Sequence, residues 1–379
     1  MRISMISAAL VAALVGYGST IALVIAAAQA LGATPAEAAS WVFAICLAKA
    51  AGSALLAVWT RVPVVLAWST PGAALIAASQ GLTMAEGVGA FVLAGTLIFM
   101  TGLIGPLGRL IAAIPSAIAA AMLAGVLLPF CLKLAPAATD SPALILPMIA
   151  VFAFVRLWNP AFAVLAALAA GLAMTFGYAG LPVTGPFALP ALTFIPPVWS
   201  TAALIGLGLP LYLVTMASQN LPGFAVLRGA GYEPPVKQAL TVSGAISAVA
   251  ALFGAHTINM AAITAAICLG DDVHPDRNQR WKVSLAYAAA WAGLGLFGSV
   301  ILALLATLPA DLIAAIVGLA LLNPLIGALS GAFVSVETRF PAAVTLIVTA
   351  SGVSAFGIGA AFWGLVAGLA ALLLDHLRT

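Results

Sequence analysis

The chain predicts an all-α membrane protein of fourteen transmembrane segments, arranged as two inverted sets of seven in which the third and tenth segments are broken. Three observations carry that expectation: the composition, the spacing of the apolar runs and the distribution of basic residues. Of 379 residues, 64% are hydrophobic and 6% charged, whereas about a quarter of a soluble domain is charged. A globule so poor in charge could not keep its surface wet, so the chain belongs in a bilayer. No long charge run, nucleotide-binding signature or soluble domain is present, so neither a nucleic-acid partner nor a cofactor is expected.

With about 20 apolar residues per crossing, spans fall near 5–30, 36–59, 62–80, 85–104, 110–132, 142–156, 159–178, 201–220, 237–253, 256–270, 282–305, 311–330, 341–352 and 354–375. The first exceeds the apolar stretch of a signal peptide and is read as a span. The second holds Lys49, too deep to reach the surface comfortably, so it must face protein or a cavity. A structural contact to carbonyls or a carboxylate is the favoured role, and attraction of an anion is the alternative.

The third span carries helix-start chemistry in its middle. Val62, Val64 and Val65 favour extended backbone, Ser69 and Thr70 offer capping oxygens, and Pro71 suits a first helical turn. An extended segment turning into a half-helix near Gly72 is expected, and such irregular backbone is tolerated at membrane depth where it lines a polar cavity. A proline kink in an ordinary span is the plainer alternative. The eighth span ends in Gln219 and Asn220, two amides able to bond a carboxylate, before Pro222 and Gly223. An ordinary helix end at the membrane surface explains the same letters.

A counterpart to the break lies in the tenth span, from His256 through Asn259 to Thr264. Ser53-Ala-Leu-Leu-Ala57 precedes the first break, and Ser247-Ala-Val-Ala-Ala251 precedes the second. Residues 1–195 and 196–379 therefore form the two repeats, divided by the uncharged stretch from Gly180 to Pro190. If the N-terminus is cytoplasmic, loops on that side carry Arg2, Arg61, Arg109, Arg156, Arg228, Lys237, Arg277, Arg280, Lys282, Arg339 and Arg378, against Lys133 alone on the other. Both termini are then cytoplasmic.

Two half-helices starting near the midplane from opposite sides would aim partial positive charge and free N–H groups at one point, an anion site. Ser69, Thr70, Pro71 and Gly72 form one wall; Asn259 and Thr264 form the other, with Gln219 and Asn220 beside them. Simple capping of helix ends is the competing role for these polar groups. Tyr17, between Gly16 and Gly18, offers an aromatic face with a hydroxyl, or packs at a glycine-lined helix contact. His256 is either a proton-coupling group or a polar turn residue. Glu337 is expected to pair with Arg339 at the surface, and Asp271, Asp272, His274 and Asp276 to form a solvated loop rather than a metal site. Cys46, Cys131 and Cys268 lack paired spacing and are read as packing residues.

Three segments together carry a resemblance: Ala67-Trp68-Ser69-Thr70-Pro71-Gly72-Ala73-Ala74, Ser218-Gln219-Asn220-Leu221-Pro222-Gly223 running on to Tyr232, and His256-Thr257-Ile258-Asn259 to Thr264. They resemble the BenE family of benzoate transporters over nearly the whole chain. The resemblance implies the seven-plus-seven inverted repeat shared with uracil and xanthine permeases and anion exchangers. Its core domain would come from spans 1–4 and 8–11, and its gate domain from spans 5–7 and 12–14. It also implies proton symport of benzoate or a similar aromatic carboxylate across a bacterial inner membrane, with substrate held between core and gate. A homo-oligomer is left open. The related nucleobase permeases carry acidic residues in spans eight and ten; here Gln219, Asn220, Asn259 and Thr264 stand instead, which suits a substrate bringing its own negative charge. A nucleobase or other small-anion permease, and a passive channel, are the alternatives. No convergent catalytic groups argue for an enzyme.

Overall fold

A computed structural model describes residues 2–105, 115–179, 189–261, 263–305 and 307–377. The expected divide at 180–188, and Arg109 with the start of the fifth expected span, lie outside these residues. The described chain is mostly helical: α1 (Ile3–Ala30), α2 (Pro35–Thr60), β1 (Leu66–Trp68), α3 (Thr70–Ala77), α4 (Met84–Leu103), α5 (Ser116–Leu132), α6 (Leu134–Asp140), α7 (Pro142–Trp158), α8 (Pro160–Ala179), α9 (Thr201–Gly229), α10 (Val236–Ala251), β2 (Ile258–Met260), α11 (Ile263–Leu269), α12 (Val283–Leu296), α13 (Gly298–Leu305), α14 (Ala310–Ala332), α15 (Arg339–Ala350) and α16 (Ala360–His376). Among the described residues six helical segments are long and apolar enough to cross a membrane alone, including α5 continued through α6. A seventh is α12–α13, bent by 53° at Phe297. Shorter apolar helices include α7, α10 and α16.

Helices α2 and α4 begin with the same device. Thr34 and Thr83 each accept a bond from the backbone of a glutamate three residues on, Glu37 and Glu86, whose carboxylate accepts from the threonine N–H in return. These reciprocal caps satisfy orphan donors where the chain enters the bilayer. The side chains sort into two packing groups. One gathers α1–α4 with α9–α12; the other gathers α5 to α8 with α14–α16. The tightest seam of the first group is α4 on α10, where a Cβ on Gly95 would lie 2.6 Å from the backbone nitrogen of Ala248. Glycine lets the two backbones touch, which replaces the missing hydrophobic drive between helices in lipid.

Helix α9 departs from the sequence reading. Pro222 and Gly223 do not end it: it continues to Gly229, and the chain absorbs each proline in a wider π turn, Leu204–Gly208 before Pro210 and Met216–Asn220 before Pro222. A proline has no N–H to give and crowds the carbonyl four residues back, and an extra residue in the turn relieves both. The second π turn is where Gln219 and Asn220 sit, so an ordinary helix end at the surface does not account for them. Arg339 also departs from expectation. Its Nε donates to the Phe333 carbonyl at 3.3 Å rather than pairing with Glu337, and among the described residues the ion pair is Arg280 with Asp271.

Candidate functional site

The third and tenth expected spans fall on β1–α3 and β2–α11. The strands pair antiparallel with Leu66 opposite Met260, Ala67 opposite Asn259 and Trp68 opposite Ile258. Two further backbone bonds extend the ladder, Ser69 N to Thr257 O and Ala261 N to Val65 O. A two-stranded ribbon leaves outward N–H groups unpaired, a cost of several kcal/mol each in hydrocarbon. Serines from the preceding helices meet two of them. Ser53 Oγ on α2 accepts from Leu66 N at 3.0 Å, and Ser247 Oγ on α10 accepts from Ile258 N at 2.9 Å. These are the serines that head the two matching pentapeptides. From the other side, the Tyr287 hydroxyl donates to the Leu66 carbonyl.

Ser69 caps α3 as its sequence context predicts. Its Oγ accepts from Gly72 N at 3.1 Å, and its carbonyl accepts from Ala73 N. Gly72 has no room for a side chain: a Cβ there would sit 2.6 Å from Leu211 Cδ1 and 2.8 Å from Ser69 Oγ. Thr215, one residue before the π turn, donates to Ser69 Oγ and shares a bond with the Thr257 hydroxyl. Asn220 is fully buried, and its Oδ1 accepts from Met260 N at 2.9 Å, so the amide from α9 caps the end of β2. Asn259 donates to its neighbour's carbonyl and, at 3.4 Å, to Gln219 Oε1, which leaves the NH₂ of Gln219 as its remaining polar group.

His256 is fixed on both sides. The Trp41 indole N–H can only donate, so Nδ1 of His256 accepts it at 3.0 Å, and Nε2 carries the hydrogen facing the Ser69 carbonyl at 3.2 Å. The ring is fully buried and does not line the cavity described next. Protonating it would break the Trp41 bond.

A cavity of about 1220 Å³ lies between the two packing groups. Of the substrate-binding residues expected from the sequence, Thr70, Pro71, Gln219 and Thr264 line it. Ser69, Gly72, Asn220 and Asn259 stand behind that wall and hold it in shape, and Tyr17 lies under it against Trp68 and Trp291, each 5.8 Å away between ring centroids. Facing α3 and α9 across the space are Ser116 and Leu123 of α5 and Asn323 of α14.

Sequence reasoning missed the aromatic end of the cavity. Trp68 and Trp291 both line it, at 5.1 Å and nearly perpendicular, and Lys49 lies against them with Nζ 2.9 Å from the Trp291 centroid and 4.1 Å from the Trp68 centroid. The carbonyl or carboxylate contact expected of Lys49 is not what the structure shows; its partners are two ring faces. Such cation–π contacts are worth about 2 kcal/mol or more when desolvated. The Trp68 N–H is taken by the Thr20 hydroxyl at 2.7 Å, whereas Trp291 Nε1 and the Tyr17 hydroxyl are buried without a partner. The isolated Trp291, more than 220 residues from Trp68 in sequence, gave no local signal. Lys49 did, because a lone lysine inside an apolar span needs an explanation.

Comparison with known proteins agrees with this architecture. Residues 1–374 match the family described as BenE, benzoate membrane transport protein. The chain is 41% identical over 363 residues to the inner membrane protein YdcO of Escherichia coli strain K12, covering 95% of this chain and 93% of that one. It is 33% identical over 369 residues to the benzoate membrane transport protein of Acinetobacter baylyi, covering 97% and 94%. Among solved structures, the transmembrane domain of the cyanobacterial bicarbonate transporter BicA superposes with a TM-score of 0.64 at 14% identity, covering 97% of this chain and 98% of that one. SLC26A9 superposes at 0.63 with 14% identity, covering 98% of this chain and 65% of that one. These two share the fold with this chain.

Proposed function

Because the chain belongs to the benzoate membrane transport family, we propose that it imports benzoate or a similar aromatic carboxylate by proton symport, through alternating movement of a core against a gate. The observation that carries this reading is the cavity itself. It joins Lys49 and two indole faces to Gln219, Thr70 and Thr264 and the starts of α3 and α11. A flat apolar ring with one charged end fits that combination, in which mostly apolar walls carry a few convergent polar groups.

In this reading the β1–α3 and β2–α11 segments are the broken third and tenth spans of fourteen. The first packing group is the core, the second the gate, and the boundary near residue 195 separates inverted repeats. Both termini and the basic loops face the cytoplasm. The cavity reaches Ser116, Asn159 and Val334, near the helix ends that carry Arg156 and Arg339, the side that this reading assigns to the cytoplasm. At about 1220 Å³ it exceeds the ~300–1,000 Å³ usual for a small-molecule pocket, as a vestibule with a binding site at its inner end does. Proton coupling is physically apt: moving a monovalent anion against an inside-negative potential costs about 2.3 kcal/mol per 100 mV, and a co-moving proton cancels that charge.

Uptake of labelled benzoate into proteoliposomes under an imposed pH gradient tests this. Saturable accumulation that collapses with the gradient is expected; uptake that neither saturates nor shows counterflow means a passive channel. Lys49 and these donors would also serve a smaller anion, so a thermal-shift panel of benzoate, uracil, xanthine and sulfate separates the substrates, with benzoate expected to raise Tm most.

A further inference from the structure

We propose that Lys49 is the residue that pairs with the substrate's carboxylate and carries the co-transported proton, an inference that rests on the transport function above. Lys49 is 1% exposed in the middle of α2, yet it bounds the cavity. The chain has ten carboxylates. All of them lie in loops or within the end turns of helices: Glu37, Glu86, Asp140, Glu233, Asp271, Asp272, Asp276, Asp311, Glu337 and Asp375. Among the described residues no carboxylate pairs with this lysine. The titratable groups near it are Cys46 on its own helix and His256 before β2, with Tyr17 on α1 and Tyr287 on α12 against the Trp291 ring; none of them is a carboxylate.

Beside Lys49, the Trp291 N–H and the Tyr17 O–H are also buried without an acceptor. One lysine head group and two idle donors, gathered in one aromatic cluster against the cavity, lack an anion that accepts hydrogen bonds. A carboxylate supplies it, and the apolar ring behind the carboxylate covers the indole faces that the ammonium leaves. The proton is accounted for as follows. Lys49 as a neutral amine, a proton from the outer side and the arriving carboxylate combine into an ammonium–carboxylate pair with no net charge. On the inner side the carboxylate departs, the ammonium again has only ring faces for company, and its proton leaves with the substrate. A carboxylate favours the protonated lysine and its loss favours the amine, so the two ligands move together. An arginine could make the pair but could not release the proton.

Lys49→Arg and Lys49→Met, each checked for monodisperse elution, test this in proteoliposomes with benzoate as the probe and three readouts: tryptophan-fluorescence titration, benzoate counterflow and pH-driven accumulation. Lys49→Arg should bind within about threefold of the parent and retain counterflow, yet lose accumulation. Lys49→Met should bind about tenfold or more weakly. If Lys49→Met does not fold, proton uptake on benzoate binding in weak buffer near about pH 8 decides, with the parent taking up protons and Lys49→Arg none. Either variant accumulating benzoate to the parent's ratio, or equal proton uptake by parent and Lys49→Arg, overturns the assignment while leaving benzoate transport standing. A parent that transports no benzoate removes both.

Discussion

In the first strand–helix segment Ser69 caps the helix that follows it, whereas in the second the final strand N–H, on Met260, is capped by Asn220 from a distant helix. The backbone is otherwise matched, with one strand from each half and a serine from the helix before it bonding a strand N–H. The faces differ. Ala67 and Trp68 of β1 line the cavity, while Ile258, Asn259 and Met260 of β2 are fully buried and do not. The two segments share a frame and differ in side-chain duties: β1–α3 presents aromatic and polar surface to the cavity, and β2 is tied to α9.

The largest expected effect breaks the shared frame. Gly72→Val forces a side chain into the space held by Leu211 and Ser69. Overpacking of this kind costs about 1–3 kcal/mol, so a lower Tm and loss of benzoate uptake are expected; normal uptake would mean that the cap is not needed. Next, Asn220→Ala strands the buried Met260 N–H at about 1–3 kcal/mol. It should lower Tm and transport together, whereas Thr70→Ala should weaken benzoate binding about threefold to tenfold with Tm little changed. Equal Tm losses in the two variants would erase the division between holding and presenting.

His256→Gln removes the link between Trp41 and the Ser69 carbonyl and should cost about 1–2 kcal/mol by thermal melting while pH-driven accumulation persists. Retained counterflow with lost accumulation would return the proton to the imidazole. The smallest effects come from Ser53→Ala and Ser247→Ala, each about 1 kcal/mol. Their near equality in Tm would support equivalence of the halves, and a large disparity would argue against it.

Much of this was legible in residue order. Ser69 and Pro71 announced a helix start inside an apolar run, because a cap and a missing N–H have one local meaning. The paired pentapeptides begin with serines that each accept a bond from a strand N–H. Asn220 was found, but as a ligand group rather than a cap, since an amide's partner depends on which backbone packs beside it. The length of α9 was misread because Pro222 usually stops a helix, and only packing against neighbours sustains the π turn that carries it past. Glu337 and Arg339, two residues apart, looked like a pair, yet the chain turns Arg339 toward the Phe333 carbonyl.

The sequence alone determined the solvent, the helical character and the place of the break, because hydropathy, proline and capping chemistry act over a few residues. Tertiary structure decided what surrounds that helix start. It brought Trp291 beside Trp68, set Lys49 against two ring faces, and fixed His256 between Trp41 and the Ser69 carbonyl, off the cavity wall. Those roles rest on contacts across tens to hundreds of residues. In the interior a polar group's chemistry is set by its partners, so Lys49 and His256 acquire their separate characters only when the helices close around them.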